Sequence, residues 1–317
     1  MKLRAVAWML SVALMVLNAA LVSGQSYPSK PIRIVTSEIG GLNDLAARVI
    51  GQGLSTILGQ QVIVDNRGIT AIEIVAKAAP DGYTVLCFSN NFWLLPYLQD
   101  DVRYDPVRDF LPITLAATAP NILAVHPLVA ANSVKELIAL AKARPGELNY
   151  GSGATGGAPH LAAELFKAMA GIKVARINYK GTASALNALI GGQTQFMFAT
   201  PSSVIPHVKS GRLKGLAVTS AEPTPLAPGL PTIAASGLPG YEALAILAIF
   251  APVKTPAAIV SRLSQAMSQV LRVPEVKERF FNAGAVAVGS TPGELTQMMK
   301  SEMPKWSEII KNAGIHD

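Results

Sequence analysis

Short runs of β-branched residues alternate along this chain with segments of helical period, and this alternation constrains the fold more than any other feature. Ile32 to Thr36 is typical of a strand, and the segment after it repeats apolar residues every three to four positions until Gly59. Further strands are predicted at 62–64, 84–88, 122–125, 174–178, 196–199, 216–219 and 244–250. Strands separated by helices favour parallel pairing, so the sequence predicts an α/β protein.

The predicted elements fall into two sets, and the chain passes between the sets around Asn121 and again around Leu244. This pattern predicts a two-lobed α/β fold with two crossover strands and a central cleft. Lobe 1 is expected to be discontinuous, from residues 27–121 plus 246–317, and lobe 2 to span 122–245. Ligands in such sheets bind beyond the carboxyl ends of the strands, and two crossings between lobes form a hinge.

Local signals add detail to this outline. Ser133 with Glu136, and Thr291 with Glu294, have the spacing of capping boxes that open helices. Residues 221–240 contain five prolines without a helical or strand period, which predicts a long surface connection.

The first 24 residues predict an export signal. Lys2 and Arg4 precede an apolar run at 5–17, and small residues at 22–24 suit cleavage. The apolar run is shorter than the roughly 20 residues that a membrane-spanning helix needs. The single cysteine, Cys87, lies far from the cleavage point in an apolar run, which excludes a lipoprotein anchor and predicts a buried core thiol. The mature protein is expected in the periplasm.

The distribution of charge points to anions rather than nucleic acids. The formal net charge is +7, but no run of lysine and arginine is interleaved with aromatic residues, so nucleic-acid binding is not expected. Residues 165–221 contain seven lysines and arginines and no acidic residue. Such a segment raises the potential for a nearby anion, although a solvated basic face would have the same composition.

Two glycine-containing loops precede helices, one in each predicted lobe. Gly40-Gly41 opens the first helix, and the loop from Gly151 to Gly157 opens another, with Ser152 and Thr155 as added hydroxyl donors. Backbone N–H groups at a helix N-terminus suit a carboxylate. The alternative is that the glycines only allow tight strand-to-helix turns.

Catalytic signatures are weak. Gly151 to Gly156 fits the dinucleotide pattern G-x-G-x-x-G, but no acidic residue follows near Arg176 to hold a ribose. Arg176 would suit a 2′-phosphate, which leaves an exported or mis-sorted NADP-dependent enzyme as the alternative function. No G-x-S-x-G elbow is present, and the four histidines (His126, His160, His207 and His316) are too scattered for a metal site. We therefore expect no enzyme activity, no metal and no cofactor.

Short motifs that follow one another in order along the whole mature chain resemble those of a known family. The matching stretches include Tyr27-Pro28-Ser29-Lys30-Pro31-Ile32, Leu58-Gly59-Gln60-Gln61-Val62, Ala78-Ala79-Pro80-Asp81-Gly82-Tyr83-Thr84, Tyr104-Asp105-Pro106, Tyr179-Lys180-Gly181 and Leu230-Pro231-Thr232. In these the chain resembles the extracytoplasmic receptors of the tripartite tricarboxylate transporter family, also called Bug proteins. The resemblance implies a periplasmic binding protein that holds a small organic acid, without a cofactor, for delivery to a membrane permease. We expect a monomer.

The two glycine-containing loops and the family resemblance together predict the residues that bind the ligand. This set is Ser37, Glu38, Gly40, Gly41, Asn43, Asp44, Asn90, Ser152, Gly153, Thr155, Gly156, His160, Tyr179 and Thr200.

Two departures from the family pattern concern the ligand. The family's Pro-Phe-x-Pro is Thr36-Ser37-Glu38-Ile39 in this chain, and the turn after Arg67 is shortened to Gly68-Ile69-Thr70-Ala71. Glu38 in the cleft would repel a carboxylate and favour an amino, hydroxyl or amide group. At the cleft rim it would point to solvent and leave the selectivity unchanged.

Overall fold

The computed structural model describes residues 27–153 and 155–315. The predicted signal segment, residues 1–24, lies outside the described residues. The strands are β1 (Ile32–Thr36), β2 (Val62–Asn66), β3 (Thr84–Ser89), β4 (Phe110–Pro120), β5 (Ile122–Val125), β6 (Asn149–Ser152), β7 (Ala175–Asn178), β8 (Phe196–Ala199), β9 (Lys214–Val218), β10 (Leu244–Pro252) and β11 (Val286–Ala287). The α-helices are α1 (Leu42–Leu58), α2 (Ala71–Ala76), α3 (Asn91–Leu98), α4 (Val134–Ala143), α5 (Ala158–Ala170), α6 (Thr182–Ile190), α7 (Pro201–Lys209), α8 (Ala257–Arg272), α9 (Pro274–Asn282) and α10 (Pro292–Ala313).

The strands form two sheets, which confirms the two-lobed α/β fold. The first sheet has six strands in the order β11-β4-β10-β3-β1-β2, with β1 parallel to β2 and β3 and with β10 antiparallel to β3 and β4. The second has five strands in the order β7-β6-β8-β5-β9, with β6 parallel to β7 and β8. We call the lobe on the first sheet lobe 1 and the lobe on the second sheet lobe 2. The residue boundaries assigned to the lobes from the sequence remain a prediction.

One hydrophobic core runs through both lobes. It includes Leu86 and Phe250 of the first sheet, Phe196 and Phe198 of the second, and Trp306 of α10. Helix α10 joins the lobes because it packs on β4 and α3 of lobe 1 and also on α5 of lobe 2. Separate cores cover the other face of each sheet. None of the described helices combines the length and the apolar character needed to cross a bilayer.

Sequence signals located many helix ends correctly. Helix α1 ends at Gly59, which adopts the left-handed conformation with φ 66°. The capping box of Thr291 and Glu294 is complete. At Ser133 only half of the box forms, because the Glu136 carboxylate accepts from the N–H of Asn132.

Three parts of the outline were missed or wrong. Helix α3 and strand β4 were not predicted, because both contain proline and neither shows a clear apolar period. The segment at 221–240 is not simply a surface connection. Ile233 in its middle is fully buried, and its N–H donates to the carbonyl of Val218 at 3.0 Å.

Candidate functional site

The carboxyl ends of the parallel strands of both sheets lie at the crossings between the lobes. In lobe 1, β10 enters next to the end of β3, with Leu247 opposite Ser89. In lobe 2, β5 starts beside the ends of β8 and β9, with Ile122 opposite Ala199 and Val218. The loops that follow β1, β3, β6, β7 and β8 therefore leave their sheets toward the other lobe, at the position where α/β proteins bind ligands.

Asp44 organises the loop that follows β1 in lobe 1. Its carboxylate accepts from the N–H of Gly40 at 3.0 Å and from the side-chain amide of Asn66 at 2.9 Å. Arg48, one turn further along α1, pairs with the same carboxylate at 2.9 Å. Ser37 joins this network, because the Asn66 amide donates to its carbonyl and Asn43 donates to its hydroxyl.

Asp44 is ionised in this setting. Burial acts to raise the pKa of its carboxyl, but the hydrogen bonds from Arg48, the Gly40 N–H and Asn66 outweigh burial and hold the pKa below its usual value. A negative charge therefore already lies in the first turn of α1. The Gly40 N–H, which was expected to face a ligand, donates to this carboxylate instead.

Arg176 organises the corresponding loop of lobe 2. It is the second residue of β7, and its guanidinium donates to the Ser152 hydroxyl at 2.7 Å, the Gly153 carbonyl at 2.7 Å and the Thr155 hydroxyl at 3.2 Å. A fourth bond goes to the side-chain carbonyl of Asn178 at 3.0 Å. The register of β6 and β7 places Ser152 opposite Asn178, so the arginine reaches the neighbouring loop directly.

His160 supports this loop from inside α5. Its Nδ1 accepts from the N–H of Gly156 at 3.0 Å, and its ring is almost fully buried. The Glu164 carboxylate lies 4.0 Å from Nε2 and also accepts from the Tyr150 hydroxyl and from Lys167. His160 therefore fixes the loop rather than presenting an exposed base.

Two more helices of lobe 2 begin beside this loop. Gly153 lies close to the start of α6, where an added Cβ would be 3.0 Å from the N of Thr182. Tyr179 donates its N–H to the Ser152 carbonyl at 2.9 Å. Thr200 precedes α7, and its hydroxyl lies 3.3 Å from that of Ser202 and 3.1 Å from that of Ser203.

Asn90 directly follows β3 and lies at the hinge. Its side-chain amide donates to the Leu244 carbonyl at 3.3 Å, and its own N–H donates to the Ile246 carbonyl at 2.8 Å. Both partners belong to β10, one of the two connections between the lobes. Asn90 therefore attaches the end of β3 to the crossover strand.

Glu38 lies at the exposed edge of lobe 1. Its side chain covers Gly68, where an added Cβ would be 2.6 Å from the Glu38 carboxylate. Gly68 has φ 59° in the left-handed region. The two departures from the family pattern are thus in contact.

The lobes touch on either side of the hinge. Gly156 of lobe 2 packs on Leu98 of α3, and Gly284 of lobe 1 packs on Ser202 of α7. An added Cβ would be 2.5 Å from Leu98 Cδ1 at the first contact and 3.0 Å from Ser202 Oγ at the second. At either contact a larger side chain would displace the facing side chain.

The helices that start at this edge have no side-chain caps. Four of them are α1, α5, α6 and α7, with N-cap residues Gly41, Gly157, Gly181 and Thr200, none of which accepts a capping hydrogen bond. Among the helices that start at the opposite edges of their lobes, α4 and α10 are capped by Ser133 and Thr291, whereas α8 has no side-chain cap. Uncapped first-turn N–H groups need water or a ligand as acceptor.

Residues 46–315 match the model of the tripartite tricarboxylate transporter family receptor. The chain belongs to this family. Its receptors are periplasmic solute-binding proteins, and the hinge between two α/β lobes is the architecture that this function uses.

Relatives and solved structures match this chain over almost its whole length. BugT of Bordetella pertussis is 33% identical over 303 residues, which is 93% of each chain. The R. palustris protein Rpa4515, solved with adipate, shares 33% identity at a TM-score of 0.76 and covers 91% of this chain and 99% of its own. The periplasmic binding protein BugD shares 31% identity at a TM-score of 0.73 and covers 92% of this chain and 100% of its own.

Sequence reasoning missed the side chains that hold the two loops of this receptor. Asn66 carries no local signal, since it meets Asp44 only when β1 and β2 pair. Arg176 carries a local signal, because it is a cation within a predicted strand, in a segment without acidic residues. The sequence assigns it to that basic segment and to a possible 2′-phosphate, but not to the support of the loop at 151–157.

Proposed function

We propose that this receptor captures a small organic acid between its lobes by the carboxylate group. The observation that carries the proposal is the set of four uncapped helix N-termini at the carboxyl edges of the two sheets. Each presents backbone N–H groups and the positive end of a helix dipole, which together suit an anion. The adipate complex of a protein 33% identical to this chain supports a carboxylate ligand.

In this proposal, some of the predicted residues contact the ligand and others hold the loops in place. Thr155 and Thr200 lie at helix starts and would contact the ligand, together with Gly157, which was not among the predicted residues. Asp44 and His160 would act by holding their loops, since their side chains already bond to them. Hydroxyl and backbone donors recognise a carboxylate without a full ion pair.

We also propose that the bound acid leaves unchanged. The family is one of receptors, and the described residues contain no group of three histidines, cysteines or acids placed to hold a metal. The NADP-dependent alternative needs Arg176 for a 2′-phosphate, whereas Arg176 donates four hydrogen bonds within lobe 2. Delivery to a membrane permease of the tripartite tricarboxylate type would be the physiological step, after export by the cleavable signal at 1–24.

A ligand screen on the purified mature protein tests this function. Thermal shifts are measured against a library of mono- and dicarboxylic acids, and mass spectrometry follows the strongest ligand during incubation. A ligand at about 100 times its Kd stabilises the folded state by about 2.7 kcal/mol. Stoichiometric binding of an unchanged acid is expected. Catalytic loss of the acid, or stabilisation by NADP and by no acid, would contradict the proposal.

A further inference from the structure

The two edges of the cleft differ in charge. On lobe 1, the ionised carboxylate of Asp44, paired with Arg48, occupies the first turn of α1, and Glu38 lies exposed above Gly68. On lobe 2, helices α5, α6 and α7 have no acidic residue in the first turn. An anion is therefore better accommodated on lobe 2 than on lobe 1.

Arg176 adds a charge to that second edge. All four of its hydrogen-bond acceptors are neutral groups: two hydroxyls, a backbone carbonyl and an amide carbonyl. Over residues 27–153 and 155–315, no carboxylate forms an ion pair with it. The guanidinium is half-buried, so solvent screens its charge less than that of an exposed lysine.

The bonds from Arg176 also set the direction of two hydroxyl groups. The hydroxyl oxygens of Ser152 and Thr155 both accept from the guanidinium, so each hydroxyl proton points away from Arg176. Ser152 is buried and Thr155 is half-buried. A guanidinium has five N–H donors, and these contacts use four of them.

We propose that Arg176 is the specificity-determining residue that makes lobe 2 the anion-holding side of the cleft. The ligand must then present at least one carboxylate to the loop formed by residues 152, 153 and 155–157. This inference rests on the proposed function, and it adds which lobe holds the anion and which side chain rejects neutral analogues.

The test compares acids with their amides. Succinate, adipate and benzoate are each titrated beside the corresponding primary amide, against the wild type, Arg176→Gln and Arg176→Lys. Lys173→Gln is the matched control, because Lys173 is an exposed cation of the same acid-free segment. Arg176→Gln is expected to lose about tenfold or more in acid affinity and less than twofold in amide affinity, since only the acid interacts with the lost charge. Arg176→Lys keeps the charge and is expected to retain part of the preference for the acid.

Each outcome separates the inference from the proposed function. A wild type that binds none of these acids or amides contradicts the proposed function itself. Where the wild type binds an acid, equal losses for acid and amide in Arg176→Gln would mean that Arg176 only shapes the loop, and the inference is wrong. An unchanged acid affinity, or a loss that Lys173→Gln reproduces, also overturns it. Circular dichroism and thermal melts of each variant identify any that fail to fold.

Discussion

Gly156 offers a direct test of the contact between the lobes. It has φ 70°, and an added Cβ would lie 2.5 Å from Leu98 Cδ1. Alanine in the left-handed region costs about 1–2 kcal/mol. Overpacking against Leu98, which is 3% exposed, adds about 1–3 kcal/mol. The free energy of unfolding of Gly156→Ala is therefore expected to fall by about 2–5 kcal/mol.

Gly171 is the matched control, at the other end of the same helix. It has φ 61°, and an added Cβ there would meet nothing within 4 Å. Gly171→Ala is expected to lose only the backbone cost of about 1–2 kcal/mol. Urea unfolding at 25 °C measures the stability of both variants, and titration with the strongest acid from the screen measures their ligand affinity. Because Leu98 belongs to the other lobe, Gly156→Ala is expected to weaken ligand binding, whereas Gly171→Ala is not.

A double-mutant cycle isolates the contact itself. Leu98→Ala removes the side chain that the new methyl group would meet, so the double variant is expected to be more stable than the sum of the single effects by about 1–3 kcal/mol. Additive effects would refute the interlobe contact. So would a Gly156→Ala variant that matches Gly171→Ala in both stability and affinity.

Two further predictions concern the acidic residues of lobe 1. Because the folded-state pKa of Asp44 lies below the usual value near 3.9, its ionised form stabilises the fold at neutral pH, and this contribution disappears as the pH falls below about 4. Asp44→Asn is expected to cost about 1–3 kcal/mol at pH 7 and to flatten the decline in stability toward pH 2, as urea unfolding across this range measures. An equally steep decline in the variant would contradict this. Glu38→Gln is expected to raise the affinity for dicarboxylates several-fold at low ionic strength and little at 0.5 M salt, because the charge is exposed and screened. An unchanged ranking of acids and hydroxy acids would exclude Glu38 from the selectivity.

Local sequence was sufficient where neighbouring residues decide the structure. The run at Ile32–Thr36 forms β1 as predicted, because a short run of β-branched side chains, four of its five residues buried, specifies a strand. The capping box at Thr291 lies within four residues and forms completely. The glycine loops were also visible, since a helix that opens on glycine after a strand is a local pattern.

The missed elements depend on partners far away in sequence. Strand β4 carries Pro112 and Pro120 and would be a poor strand alone, but it pairs along its length with β10, so that Leu244 lies opposite Pro120. Helix α3 has Pro96 in its last turn and buries Phe92, Trp93 and Leu94 together, which removes the apolar period that marks a surface helix.

The chemistry of the cleft edges was decided by tertiary structure in the same way. The sequence by itself determined that two α/β lobes would present glycine loops at helix starts. Only the pairing of β2 with β1 brings Asn66 to Asp44, and only the pairing of β7 with β6 brings Arg176 to Ser152. The physical reason is that hydrogen bonds and charges act over a few ångströms in space, while these partners lie 22 and 24 residues apart along the chain.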